Sequence, residues 1–399
     1  MKNSKLSYKE TQVACYISFA IQAVVVNFPP LLYVTFQQQY GLTLEKLATV
    51  SAVLFAIPIL INIISPHIAN RTGPRAWMVS AHLICLLGCV CLGVLPRKID
   101  TFTGLLIASS LNGTGYTMIE IMANPIIEGS HDGKSSVAIT LLHSFYCWGY
   151  AFTIVVSTLF FVLAGTEKWY LLAFIWAIVP LLNSLFFLKV PICEIPSSTK
   201  ELFNSSLIHS PIFWLCAAMI FFAGAAEVSV SQWASAFAET GLNVSKTVGD
   251  LAGPSLFAIL MGTSRIVYIK VNNKVDLKYF MIISSFLCCL CYLTAALSRS
   301  PVIALIGCGM VGLTVGITWP GTYALASNVC PVTGVQLFSL LSISGNLGCV
   351  CGPYFVAFVS DMFGGRLQSG LLAATVFPAI LLVCTVLCFR LSKKRGLRV

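Results

Sequence analysis

Two acidic residues, Glu120 and Glu227, fall in the middle of long apolar runs, while the other acids among the fourteen lie in polar interruptions or near run ends. An ionised carboxylate in hydrocarbon is expensive, so a mid-span acid first suggests a ligand or proton pathway. Around Glu120 the polar residues Asn112, Tyr116, Glu120 and Asn124 recur every four positions. At about 100° per residue each step drifts about 40°, so on a helix they form one slanting polar ridge roughly 18 Å long. Such a ridge faces water or other helices and not lipid, because unsatisfied polar groups cost too much in hydrocarbon. Pro125 follows directly and removes a backbone donor from the same run.

The run containing Glu227 carries a similar ridge in Ser231 and Ser235, flanked by Gln232 and Trp233. His143, Tyr146 and Tyr150 share a face through i, i+3, i+7 spacing, with Trp148 nearby. Thr314, Thr318 and Thr322 form one ridge of a later run, Trp319 and Tyr323 another, and Ser342 and Asn346 follow in the next. Carboxylate, amide, hydroxyl and flat aromatic groups together suit a neutral polyhydroxylated ligand, because Asn, Gln and Glu bond its hydroxyls while Trp or Tyr packs on its C–H face. A strongly charged substrate would call for several mid-span charges of one sign. The candidate substrate-binding residues are therefore Glu120, Asn124, His143, Tyr146, Trp148, Glu227, Gln232, Trp233, Trp319 and Asn346. A carboxyl whose access to water alternates can take up a proton on one side and release it on the other. That makes Glu120 and Glu227 the proton-coupling candidates, Glu120 foremost because it has hydrogen-bonding neighbours one turn away on each side. The competing role is structural. A single Ser or Thr in a span more often bonds a neighbouring helix, at roughly 0.6–2 kcal/mol, and glycines such as Gly113, Gly115, Gly312 and Gly316 permit close helix packing.

These residues need a membrane around them. The chain has 399 residues, 57% hydrophobic and 10% charged. With a mean hydropathy of +0.89 throughout, no stretch reads as a separate soluble domain. Apolar runs give twelve expected spans, at 12–35, 47–68, 77–95, 103–126, 137–163, 169–188, 209–238, 251–270, 279–297, 302–327, 335–359 and 370–391. The longest polar interruption, Lys189 to Ser206, divides them into two six-helix bundles, residues 1–188 and 209–399, joined by a cytoplasmic linker at 189–208. With both termini inside, sixteen Lys and Arg lie in inside segments and seven outside, with Arg265 within a span completing the 24. This bias predicts cytoplasmic termini in a cell membrane and accounts for the net charge of +10 without a nucleic-acid partner. The sixteen cysteines lie mostly in apolar runs and show no ligand spacing, so no metal site is expected. No phosphate-cradling loop is present, and neither a cofactor nor enzymatic activity is expected.

The segment ANRTGPR (69–75) between the second and third runs resembles the loop of the major facilitator superfamily at that place, with Asn70, Arg71, Gly73 and Arg75 fitting it and Pro66 and Pro74 departing from it. IEIMANPII in the fourth run resembles the Glu-x-x-x-Asn-Pro segment of the fucose permease and related sugar:proton symporters. FQQQYGLT, LLHSFYCWG, AEVSVSQW and ITWPGTYALAS are also similar to segments of that family. The resemblance implies the major facilitator fold and a gating role for that loop. It also implies proton-gradient-driven uptake of a fucose- or hexose-like monosaccharide by a monomeric carrier, with Glu120 as the substrate-linked glutamate. The family's protonatable first-span Asp corresponds to Pro30 here, with Asn27 the nearest polar group. The proton then falls to Glu120 or Glu227, or the carrier is uncoupled or uses another ion. Efflux of lipophilic compounds and a non-transporting sensor of the same fold remain the other readings.

Overall fold

The computed structural model of the chain describes residues 6–129, 135–192, 205–271, 275–331 and 335–394. Part of the expected linker, 193–204, lies outside the described residues. Among those described the regular elements are all helical, as hydrocarbon demands of a backbone that must satisfy its own donors and acceptors. Twelve long helical spans follow one another. The first six are Tyr8–Tyr40, Leu44–Thr72, Pro74–Val94, Thr101–Gly129, Ser135–Ala164 and Trp169–Phe187. The last six are Pro211–Gly241, Lys246–Val271, Leu277–Leu297, Pro301–Val315 continued by Thr318–Val329, Val335–Met362, and Leu367–Lys394. Among the described residues, eleven of these contain a stretch apolar enough to cross a membrane. The fourth, 29 residues long, is the exception, its apolarity diluted by the ridge that carries Glu120.

Prolines set the two main interruptions. Pro29 and Pro30 have no N–H, so the first span's helix ends at Asn27, passes through a tight turn at Pro29–Leu32 and resumes at Tyr33–Tyr40. Pro320 likewise cannot donate to the carbonyl of Gly316, and the tenth span pauses between Val315 and Thr318. Arg265 of the eighth span fills that vacancy: its Nε donates to the Gly316 carbonyl at 3.1 Å. The buried mid-span cation is thus fixed by a carbonyl that a proline set free. At the start of the third span Gly73 has a φ of 76°, open to glycine, and Pro74 opens the helix. Arg75 donates to the carbonyl of Phe187 at the end of the sixth span, at 2.6 Å. The side chains of Asn70 and Arg71, expected in the same loop, lie outside those described.

Contacts divide the chain into two compact units, one of residues 1–29 with 60–200 and the other of residues 30–59 with 201–399. This differs from a division at the linker alone, because the chain changes units at the Pro29–Pro30 break and again within the second span. In the first unit the first span packs on the fourth and fifth, and the third on the fourth and sixth. A buried polar knot ties three of these helices: Asn183 Nδ2 lies 2.9 Å from His82 Nε2 and 3.1 Å from the Ser18 hydroxyl, while His82 Nδ1 is held by the Met78 carbonyl at 2.6 Å. In the second unit the seventh span packs on the eleventh and twelfth, and the tenth on the eighth and ninth. A Cβ at Gly348 would collide with the Phe221 carbonyl, and one at Gly352 would lie 2.5 Å from that of Ala225. The seventh and eleventh spans are therefore in backbone-to-backbone contact. Below them, Phe213, Cys216, Ile220, Leu325, Leu341 and Phe389 build an apolar core from four spans.

Candidate functional site

The lower part of the fourth-span ridge meets polar side chains from two other helices of the first unit. Asn124 Nδ2 donates back to the Glu120 carbonyl at 2.9 Å, which turns its Oδ1 toward His143. His143 Nε2 lies 3.2 Å from that oxygen, so the imidazole presents Nε2–H as a donor there. The edge of Phe19 meets the imidazole ring at 5.0 Å between centroids and fixes its tilt. Gln22 Nε2 reaches Glu120 Oε2 at 3.5 Å. Asn27 donates to its own helix at Ala23 and to the Tyr146 hydroxyl at 3.1 Å. Glu120, Asn124, His143 and Tyr146 are only partly buried and keep surface on which a ligand could rest. The upper end of the ridge is different. Asn112 is buried where the third span has Gly88, whose missing side chain leaves the room that the amide occupies.

The sequence-predicted Glu120, Asn124, His143 and Tyr146 are thus brought together, while Trp148 is not. It advances 140° around the helix from His143 and is 42% exposed on the opposite side, so its place among the candidate binding residues is corrected to the outer face. The first-span members of the cluster, Gln22 and Asn27, are not among the sequence candidates. Their signal was present as polar residues in the otherwise apolar run SFAIQAVVVNF.

In the second unit the candidates separate. Glu227 is partly buried, with the Arg265 guanidinium acting on it electrostatically. Gln232 is buried, and its Oε1 accepts from Tyr33 at 3.3 Å and Ser51 at 3.1 Å. Trp233 is fully buried, and its indole N–H donates to the Pro353 carbonyl at 3.1 Å. The Gln232 oxygen and the Trp233 indole N–H are thus both taken up by contacts within the second unit. Trp319 is half-buried, standing edge-on to Tyr323 at 6.2 Å, with its indole laid over Gly224 and Gly345. Asn346 donates to the carbonyl and hydroxyl of Ser342. Thr314, Thr318 and Thr322 each donate to a carbonyl three or four residues back. Among the described residues no group of His, Cys, Asp or Glu is arranged to hold a metal ion.

The chain is similar in structure to a bacterial homolog of the human lysosomal transporter Spinster in an inward-facing, occupied conformation. The TM-score is 0.77 at 14% identity, over 96% of this chain and 97% of that one. It is similar to the nucleoside transporter NupG, with a TM-score of 0.73 at 13% identity over 96% of this chain and 99% of that one. It is similar also to the fucose:proton symporter FucP of E. coli, with a TM-score of 0.68 at 15% identity over 96% of this chain and 99% of that one. No curated protein matches it in sequence. The sequence pattern of the Major Facilitator Superfamily matches residues 13–335 and again 255–398. Twelve spans in this arrangement, together with that match, mean that the chain belongs to the major facilitator superfamily: it is a multi-pass membrane transporter of a small-molecule substrate and not an enzyme.

Proposed function

We propose that the protein carries a neutral monosaccharide, fucose- or hexose-like, into the cell together with a proton, by alternating the access of a site near the bilayer midplane. The observation that carries this reading is the cluster around Glu120. One carboxyl, the amides of Gln22 and Asn124, the imidazole N–H of His143 and the phenol of Tyr146 converge from three helices of one unit. Neighbouring sugar hydroxyls need donors and acceptors side by side, which this set supplies without a net cation. Glu120 is the proton carrier, since its carboxyl is the acid within the cluster and the Gln22 amide that reaches it is neutral. Trp319, resting on two glycines, is the flat apolar surface suited to the C–H face of a sugar ring.

The working unit is a monomer of two six-helix bundles, 1–188 and 209–399, linked by 189–208. Its termini are cytoplasmic, and the loop holding Asn70, Arg71, Gly73 and Arg75 serves as a gate. The test is uptake into liposomes of labelled fucose, galactose, glucose, mannose and a polyol, with and without an inward proton gradient. Uridine and adenosine belong in the panel because one structural neighbour is a nucleoside transporter. Gradient-dependent accumulation of a sugar is expected. Equilibration without accumulation would remove the proton coupling, and transport of a nucleoside or a lipophilic compound alone would remove the sugar.

A further inference from the structure

Four thiols share the apolar core below the seventh and eleventh spans: Cys216 on the seventh, Cys330 at the end of the tenth, and Cys384 and Cys388 on the twelfth. Two of them touch. The sulfurs of Cys216 and Cys388 lie 3.8 Å apart, although the residues are 172 positions apart in the chain. Both side chains are fully buried, and both are free thiols. The Cys330 sulfur lies against Cys216 as well. A disulfide bond is about 2.05 Å long, so each sulfur of the touching pair would have to move by roughly 1 Å. Side-chain rotation on two packed helices can supply that.

A thiol buried singly in an apolar core is inert, because its thiolate is costly there and nothing traps an oxidised form. The touching pair differs in two respects. An oxidised sulfur would meet a second thiol in contact with it, and the pair lies close to the ends of its helices. Cys216 is five residues beyond Pro211, roughly 8 Å along the axis, and Cys388 is six residues before Lys394. A small uncharged oxidant therefore has about two helical turns to cross. We infer that Cys216 and Cys388 form a peroxide-reactive dithiol site, at which hydrogen peroxide joins the seventh and twelfth spans by a disulfide. One thiol becomes a sulfenic acid as the peroxide O–O bond breaks and water leaves. The other thiol then displaces the sulfenic hydroxyl, and its proton departs with that oxygen as a second water. Two thiols and one peroxide give one disulfide and two waters. The seventh span already touches the eleventh main chain to main chain, so the new bond would extend that pairing to the twelfth. The inference does not depend on which substrate is carried, because these residues lie outside the Glu120 cluster.

The test is differential thiol labelling of the purified full-length protein in detergent micelles, before and after treatment with hydrogen peroxide. Remaining thiols are blocked with N-ethylmaleimide in denaturant, and the digest is read by mass spectrometry with and without reduction. After peroxide, the peptides holding Cys216 and Cys388 are expected as one linked species that reduction separates, exceeding any other linked pair about tenfold or more. Cys351, which is exposed, reports that peroxide has reached the protein. Cys216→Ala should lose the linked species, and Cys330→Ala should keep it. Recovery of Cys216 and Cys388 as labelled thiols while Cys351 is oxidised overturns the site. A link from Cys216 to Cys330 in its place overturns the pairing, as does loss of the link in Cys330→Ala. The unaltered chain carries the main result, so the test stands even where a variant fails to fold.

Discussion

The fourth and tenth spans carry the same pattern, polar residues every four positions along one helical face, yet the two ridges end differently. In the fourth span the side chains reach outward, with Glu120 toward Gln22 and Asn124 toward His143. In the tenth, Thr314, Thr318 and Thr322 turn back and donate to carbonyls of their own helix. A threonine hydroxyl has one proton and spends it on the preceding turn, whereas Asn124 gives its Nδ2 to the Glu120 carbonyl and still offers its Oδ1 to His143, and the Glu120 carboxylate has no proton to close on its own helix. Periodicity therefore identifies the face, and the polar atoms left over after the helix is satisfied decide whether that face can meet a ligand.

The contrast can be broken most directly at Glu120. Glu120→Gln should abolish gradient-driven accumulation in liposomes while leaving downhill exchange measurable, and an unchanged proton-to-substrate ratio would falsify its role as carrier. His143→Ala and Asn124→Ala each remove one side of a single contact. Each should weaken apparent affinity about tenfold, the scale of one lost polar contact of 1–2 kcal/mol, read as a raised half-saturation concentration. Gly345→Ala sharpens the comparison from the other side. Its new methyl would strike the indole of Trp319, so uptake should fall by the same several-fold factor as in Trp319→Ala, without contact between residue 345 and substrate. The smallest effect belongs to Thr318→Val with Thr322→Val, where transport should stay within about twofold because each hydroxyl already satisfies only its own helix. A large loss there would place the tenth-span ridge beside the ligand after all. Trp233→Phe should lower thermal stability by about 1 kcal/mol, through the unpaired Pro353 carbonyl, and leave affinity alone.

Much of the scaffold is legible in the sequence. The twelve apolar runs match twelve long helices, with ends moved by several residues where polar first turns continue the helix, as at Tyr8 and Lys246. Glu120, Asn124, His143 and Tyr146 were legible because fixed helical spacing put each pair on one face. What spacing cannot supply is the partner across the gap. Trp233 and Gln232 sit beside Glu227 in the chain and share its polarity, but the carbonyl of Pro353 and the hydroxyls of Tyr33 and Ser51 claim them from remote positions. The knot of Ser18, His82 and Asn183 was missed for the same reason. Its three members are single polar residues in separate runs, and only packing brings them together. Arg265 is an intermediate case: Pro320 announced a free carbonyl, but nothing in the sequence said which donor would take it.

The contact of Gly348 and Gly352 with the seventh span has a practical consequence for anyone following this protein at work. Two helices whose main chains touch have no side-chain cushion in which a displacement could be absorbed. A fluorophore or spin label on the lipid-facing side of either one, at Phe358 or Trp214 for example, should therefore report the same trajectory as a label on the other. The pair makes a ruler of constant length inside the second unit, against which movement of any other helix can be measured.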